Sequence, residues 1–271
     1  CPGPFLSTAI MGAHLLNRAG ATDPLAGMAS GDYRVGVAFS DFVGARKGQV
    51  TEVNSQLSGQ SLYALDADAD AYLVALADGR VYMVETEHLA RQSLTTIDVT
   101  RSVCELNFSQ TPACLVTEDA QLVRDTIYRG RTIQAADTLG AAQYMLDQAV
   151  AYSLDRKQFN RAIGSFQAVK HMCAEMASQL EPCRSFVWYA GHAFDEMDNE
   201  AALTACHAKA HLAEVGQFVA KTSTEVHGGM GFTDLVGLHY WFKRIGFNRQ
   251  LLGSPEQVRH EAALLQGLCD A

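Results

Sequence analysis

Along the chain, the spacing of apolar positions changes twice. Phe5 to Leu16 is an apolar run at helical spacing, and Ala21, Leu25 and Met28 fit a short second helix after a glycine-containing turn. From about Tyr33 to Cys114 the period shortens to that of strands. Arg34–Phe39, Ser61–Leu65, Ala71–Leu76, Arg80–Val84 and Val103–Phe108 are short, rich in β-branched and aromatic residues, and bounded by Gly and Asp. The Asp78-Gly79 pair between two of these runs predicts a hairpin. From Thr117 onward the helical period returns in long stretches, to about Leu154, from Ile163 to Asp195 and from Glu200 to Val226, with shorter helices after Phe232 and Ser254. Thr117, followed by Glu118 and Asp119, is the predicted N-cap of the first long helix.

This order predicts an α+β fold in three zones: a helical remnant over 1–32, a β domain over 33–116 and a long-helix bundle over 117–271. Cys1-Pro2-Gly3-Pro4 opens straight into helix and Cys1 is not an initiator Met, so an N-terminal portion is expected to precede this sequence. The 271 residues, 48% hydrophobic, suffice for a large core. A formal charge of -9 argues against nucleic acid as a partner, because that affinity comes mainly from Lys and Arg meeting phosphates. Seven scattered cysteines without a CxxC pair fit reduced thiols in a cytoplasmic protein rather than a disulfide framework or zinc site. No apolar run reaches the ~18 residues of a membrane span.

Two segments carry chemistry. In Arg156-Lys-Gln-Phe159, followed by Ile163-Gly-Ser-Phe-Gln167, a guanidinium suited to two phosphate oxygens sits near an amide that both donates and accepts. In Val226-His-Gly-Gly-Met-Gly-Phe-Thr233 the missing side chains let backbone N–H groups approach a nucleotide closely. Alone, such a glycine loop is more often a plain helix-to-helix turn, Arg156 a solvated helix-end charge and Phe159 core.

Together these segments resemble the acyl-CoA dehydrogenase family, in which Arg-x-x-Phe-Gly is followed by Ile-x-x-Phe-Gln and, further on, by a Gly-Gly-x-Gly-Phe/Tyr loop. Leu57-Ser-Gly, Asp68-Ala-Asp70 and Asp98-Val-Thr-Arg101 extend the resemblance over essentially the whole chain. It implies that Arg156, Phe159, Gln167, Glu225, Gly228 and Gly229 clasp an FAD held mainly by a neighbouring subunit. Two positions depart from the pattern: Asn160 stands where the family has Gly, and Glu225 where Gln is common.

The family's other half looks eroded. Its base is a Glu at one of two positions, removing the α-proton of a CoA thioester while the flavin accepts the β-hydride. Those positions correspond here to Leu252 and Gly130. The loop that meets the flavin ring corresponds to Phe39–Arg46, without its Gly-Ser-Asp ending, and the flavin-edge strand to Ala71–Ala75, without a Ser or Thr hydroxyl. The resemblance is therefore to the shorter, non-catalytic subunit of actinobacterial α2β2 acyl-CoA dehydrogenases acting on steroid side chains. It implies a homologous catalytic subunit and an electron-transfer flavoprotein as partners. Two alternatives are a self-sufficient homotetramer with its base moved to Asp125, Asp137, Glu225 or Asp234, and an FAD-free scaffold of the same fold. Cys206, His207 and His211 on one predicted helix read as structural rather than as metal ligands.

Overall fold

In a computed structural model of the chain, residues 3–44 and 46–269 are described, apart from the side chain of Asp198; Cys1, Pro2, Ala45, Asp270 and Ala271 lie outside them. The chain divides into two compact units, Cys1–Gly130 and Arg131–Ala271.

The first unit opens with a π-helical run, Phe5–Gly12, that continues into α1 (Ala13–Arg18) and is followed by α2 (Leu25–Ser30). Then come β1 (Val35–Ala38), the short α3 (Ser40–Val43), β2 (Thr51–Val53), β3 (Gln56–Leu65), β4 (Ala71–Ala75), β5 (Val81–Glu85), β6 (Ala90–Leu94), β7 (Val103–Pro112) and β8 (Cys114–Thr117). The sheet runs β6-β7-β3-β1-β4-β5-β8, with β2 beside β3. β1 and β4 are parallel, pairing Val35 with Ala71 and Ala38 with Val74, and the other neighbours are antiparallel. All five residues of β4 are buried, as expected of a central strand covered on both faces. The predicted hairpin joins β4 to β5. Gly79 there takes φ +93°, and a Cβ on it would come within 2.4 Å of Ala120. The core gathers Val74, Tyr82, Val84, Leu57, Leu106 and Phe108.

α4 (Ala120–Asp155) begins in the first unit and continues into the second. Its cap differs from the expectation. Thr117 is the last residue of β8, where its hydroxyl accepts the Asp119 N–H, and the Asp119 carboxylate accepts from Gln121 N (2.8 Å) and Leu122 N (3.3 Å). The strand claims Thr117, so Asp119 caps the helix.

In the second unit a two-strand ribbon, β9 (Lys157–Gln158) and β10 (Arg161–Ala162), leads through a 3-10 turn (Ile163–Ser165) to α5 (Gln167–Glu196). α6 (Asp198–His227), a 3-10 turn over Gly228–Phe232, α7 (Leu238–Gln250) and α8 (Pro255–Leu265) follow. Ile163 thus belongs to a turn rather than to the second long helix. Buried residues at helical spacing, Ala135, Leu139, Ala142, Leu146 and Ala149 on α4, meet Met176, Leu180 and Cys183 of α5 and Leu212, Val215 and Val219 of α6. The many alanines bring the helices close. At Gly216 a Cβ would lie 2.6 Å from the Thr138 methyl, so α4 and α6 approach there only because that side chain is missing.

Candidate functional site

The second unit brings the sequence-predicted residues to one exposed end. Arg156 follows the last residue of α4, its N–H donating to Tyr152 O (2.8 Å) and its carbonyl accepting from Ile163 N (2.8 Å). This peptide anchors the ribbon to the turn before α5. The ribbon closes through Phe159 at φ +52° and Asn160 at φ +60°, both left-handed, as a two-residue hairpin turn requires. Asn tolerates that conformation, which explains how Asn160 stands in for glycine. Phe159 tolerates it poorly, yet its ring is 88% exposed and touches Phe166 only edge-on at 6.1 Å. A strained aromatic held out in solvent is built to meet something.

Gln167 opens α5. Its Nε2 lies 3.4 Å from His171 Nε2, and no side chain caps this helix end among the described residues. Arg161 stacks its guanidinium over Phe166 at 3.9 Å from the ring centroid, a contact the sequence reading missed. The Arg156 side chain is exposed and makes no side-chain hydrogen bond or ion pair among the described residues.

The glycine loop starts where α6 ends. Gly228 takes φ +58°, and a Cβ on Gly228 or on Gly229 would meet nothing within 4 Å. Gly231 is demanded by the chain's own packing, since a Cβ there would sit 2.7 Å from Thr224 O, and Gly228 by its backbone conformation, whereas Gly229 answers to neither. The first two glycines therefore leave bare, open backbone, the kind of surface a nucleotide approaches closely. Glu225 is exposed in the last turn of α6, where a carboxylate opposes the helix dipole and does not stabilise the helix. His227, buried, donates from Nδ1 to Ser223 O (2.8 Å) and stacks on Tyr152 with ring centroids 4.5 Å apart. Burial holds its pKa below the usual imidazole value, against the opposing pull of the Ser223 hydrogen bond. Around these groups stand exposed apolar side chains: Leu154 before Arg156, and Phe232 and Leu235 after the loop.

The two positions corresponding to the family base hold no acid. Leu252 is buried in a left-handed conformation (φ +58°), and its carbonyl accepts from Arg131 Nε at 2.9 Å. Arg131 is fully buried; its Nη1 pairs with Glu261 at 2.7 Å and approaches Cys206 Sγ at 3.4 Å. Burial, its first cause, pushes the Cys206 thiol up to about 12 despite the neighbouring guanidinium. Gly130 lies buried in α4. Of the acids considered as a relocated base, Asp137 is held by Arg244 (3.1 Å) and by Asn248 Nδ2 (2.7 Å), and Asp125 accepts from Gln121 (2.8 Å). Asp234 and Glu225 are solvent-exposed. His211 packs against Phe186, and no group of three metal-ligating side chains occurs among the described residues.

In the first unit, the segment corresponding to the flavin-ring loop turns its polar groups inward. Asp41, buried, accepts from Gly48 N (2.7 Å) and Val50 N (2.6 Å), and Ser40 Oγ accepts from Leu62 N (3.1 Å). Ala45 of that segment lies outside the described residues. In β4, Tyr72 donates its hydroxyl to Asp66 O at 2.7 Å.

Residues 120–263 match the model of the acyl-CoA dehydrogenase C-terminal domain. The chain is 30% identical over 271 residues to the acyl-CoA dehydrogenase FadE34 of Mycobacterium tuberculosis; the match takes in 98% of this chain and 36% of that protein. Among solved structures it superposes on the ChsE4–ChsE5 complex of Mycobacterium tuberculosis with a TM-score of 0.85 and 24% identity, covering 100% of this chain and 78% of that one. It superposes on a variant of the Tcur3481–Tcur3483 steroid ACAD with a TM-score of 0.84 and 24% identity, covering 95% and 74%. The chain belongs to the acyl-CoA dehydrogenase family. It spans about a third of the length of FadE34, and the two solved structures share its fold. No helix among the described residues is long and apolar enough to cross a membrane.

Proposed function

We propose that this chain is the non-catalytic subunit of a flavin-dependent acyl-CoA dehydrogenase, completing the FAD site of a homologous catalytic subunit. One observation carries the reading: the clasp residues stand exposed at one end of the helical unit, on segments that also leave Leu154, Phe159, Phe232 and Leu235 uncovered. Large apolar side chains grouped around unpaired polar ones mark a surface that another molecule covers. Open backbone at Gly228 and Gly229, the uncapped start of α5 and the unbonded Arg156 guanidinium fit the phosphate and base portions of a dinucleotide. When bound, FAD supplies the hydride sink for α,β-dehydrogenation of a CoA thioester. Arg156 would neutralise phosphate charge, Phe159 would offer a flat apolar face, Gln167 would give an amide hydrogen bond, and the glycine loop would present the open backbone of Gly229, the Gly228 N–H being donated to Glu225 O. Glu225 sits on the ribose or adenine side, since a carboxylate beside phosphate would repel it.

Neither position that corresponds to the family base carries an acid, since they hold Leu252 and Gly130, and Asp137 is committed to Arg244 and Asn248. The base then belongs to the partner chain. The steroid ACAD and the ChsE4–ChsE5 complex among the structural relatives favour a bulky, steroid-linked acyl group and a two-gene assembly. Expressed alone, the chain is expected to be colourless; co-expressed with a homologue carrying Glu at either base position, it should yield a yellow, active complex. In that complex Arg156→Ala should weaken FAD binding about tenfold or more, as expected for loss of a charge-assisted contact. A yellow, active homo-oligomer of this chain alone would sink the proposal.

A further inference from the structure

The two halves of the clasp come from opposite ends of the helical unit's sequence, yet they must face one ligand at fixed separation. Arg156 sits past the end of α4, and Gly228 past the end of α6. The last turn of α6 is packed, with Val226 in the helical core, while α4 ends with Leu154 and Asp155 in solvent, so a contact from α4 onto α6 is what would hold Arg156 at a set distance from Gly228. The joint is visible: Tyr152, one turn before Arg156, stacks on His227, the residue before Gly228, with centroids 4.5 Å apart and planes at 27°. His227 is itself fixed, since its Nδ1–H donates to the Ser223 carbonyl, while Ser223 Oγ donates to Met145 O of α4 at 2.7 Å. Tyr152 is tied to the Arg156 peptide through its carbonyl, which accepts the Arg156 N–H. Every link in the path from Arg156 to Gly228 is thus a named contact: Arg156 to Tyr152, Tyr152 to His227, His227 to Gly228.

We infer that the Tyr152–His227 stack is a positioning pair that sets the spacing between Arg156 and the Gly228-Gly229 backbone, and through it the affinity for the dinucleotide. Neither ring is a ligand contact in this account. What the stack needs is two flat rings in register. The imidazole Nδ1–H orients one of them, but the Ser223 carbonyl lies in the last turn of α6, where the helix itself supplies a backbone donor. A phenyl ring at 227 therefore keeps the joint, and an aliphatic side chain of similar volume fills the space without keeping it.

The inference rests on the proposed clasp and is tested in the complex with its catalytic partner, by titrating FAD into the flavin-stripped protein and following flavin fluorescence. His227→Leu and Tyr152→Leu should each raise the Kd for FAD about tenfold, and the double variant should be no worse than either single, because both break one joint. His227→Phe should stay within about threefold of the parent. Thermal midpoints are read alongside. If the leucine variants do not assemble, the phenylalanine variant decides, supporting the pair with near-parental affinity and overturning it with a tenfold loss. Equal Kd values for His227→Phe and His227→Leu, or multiplicative losses in the double variant, also overturn it. Arg156→Ala separates this inference from the reading beneath it. If that variant keeps its FAD, the clasp itself fails; if it loses FAD while the leucine variants do not, only the positioning pair fails.

Discussion

The two segments that correspond to flavin contacts treat their polar groups in opposite ways. In the sheet unit, the segment that corresponds to a flavin-ring loop is closed on itself: Asp41 is spent on two backbone N–H groups, Ser40 on a third, and the Tyr72 hydroxyl on a carbonyl. In the helical unit, Arg156, Glu225 and the first two loop glycines face outward, and a phenylalanine is held in a conformation that costs energy. A group satisfied inside its own chain stabilises the fold, whereas one left open at a cost awaits a second molecule. The difference separates what this chain keeps for itself from what it offers.

Substitutions in the two units should therefore fail in different ways. The largest effect is expected at Asp41→Ala, which strands the Gly48 and Val50 N–H groups and should cost roughly 2–4 kcal/mol in denaturant unfolding. A loss below about 0.5 kcal/mol would mean that this loop is as open as the clasp, and the contrast would collapse. A smaller effect belongs to His14 in the sheet unit, whose pKa is pushed down to about 4 by burial first and then by Arg129 and Arg18. The folded state keeps His14 neutral while the unfolded chain takes up its proton near 6.5. Stability is then complete above about pH 6.5 and declines as pH falls toward 4, and His14→Gln should flatten this slope in thermal melts. The smallest expected change is at Phe159→Gly. Removing the left-handed strain should leave stability unchanged or raise it by up to about 1 kcal/mol, while FAD retention in the complex falls. A destabilised Phe159→Gly would recast Phe159 as core and blur the distinction.

Much of this was legible in the sequence where the signal is local. Long helical periods and three of the strand-like runs emerge at nearly their observed bounds, while the runs Ser61–Leu65 and Val103–Phe108 catch only part of β3 and β7; the motif segments mark Arg156, Phe159, Gln167 and the glycine loop. Of the strands missed, β2, β6 and β8 lie at the sheet margins, where polar residues such as Arg91, Gln92 and Ser93 erase the alternation, and β9 and β10 are two residues each, too short to show a period. One signal was available: Asn54 and Ser55, both at positive φ, form the β2–β3 turn. The stack of Tyr152 on His227 and the packing of Arg131 against Leu252 join residues far apart in sequence, and no spacing rule reports such pairs. The Thr117 cap went wrong because pairing with Val81 of β5 carries the strand through Thr117 and leaves Asp119, expected inside the first turn, to cap the helix.

The ribbon turn at Phe159 and Asn160 has one further consequence. Two residues locked in a hairpin have little backbone freedom left to lose, so a ligand meeting that ring orders little more than the side chain itself. If the ligand's remaining contacts belong to another polypeptide, flavin capture and subunit association draw on a single coupling free energy. The cofactor then acts as cement: each bound flavin tightens the assembly, and each dissociating subunit releases colour.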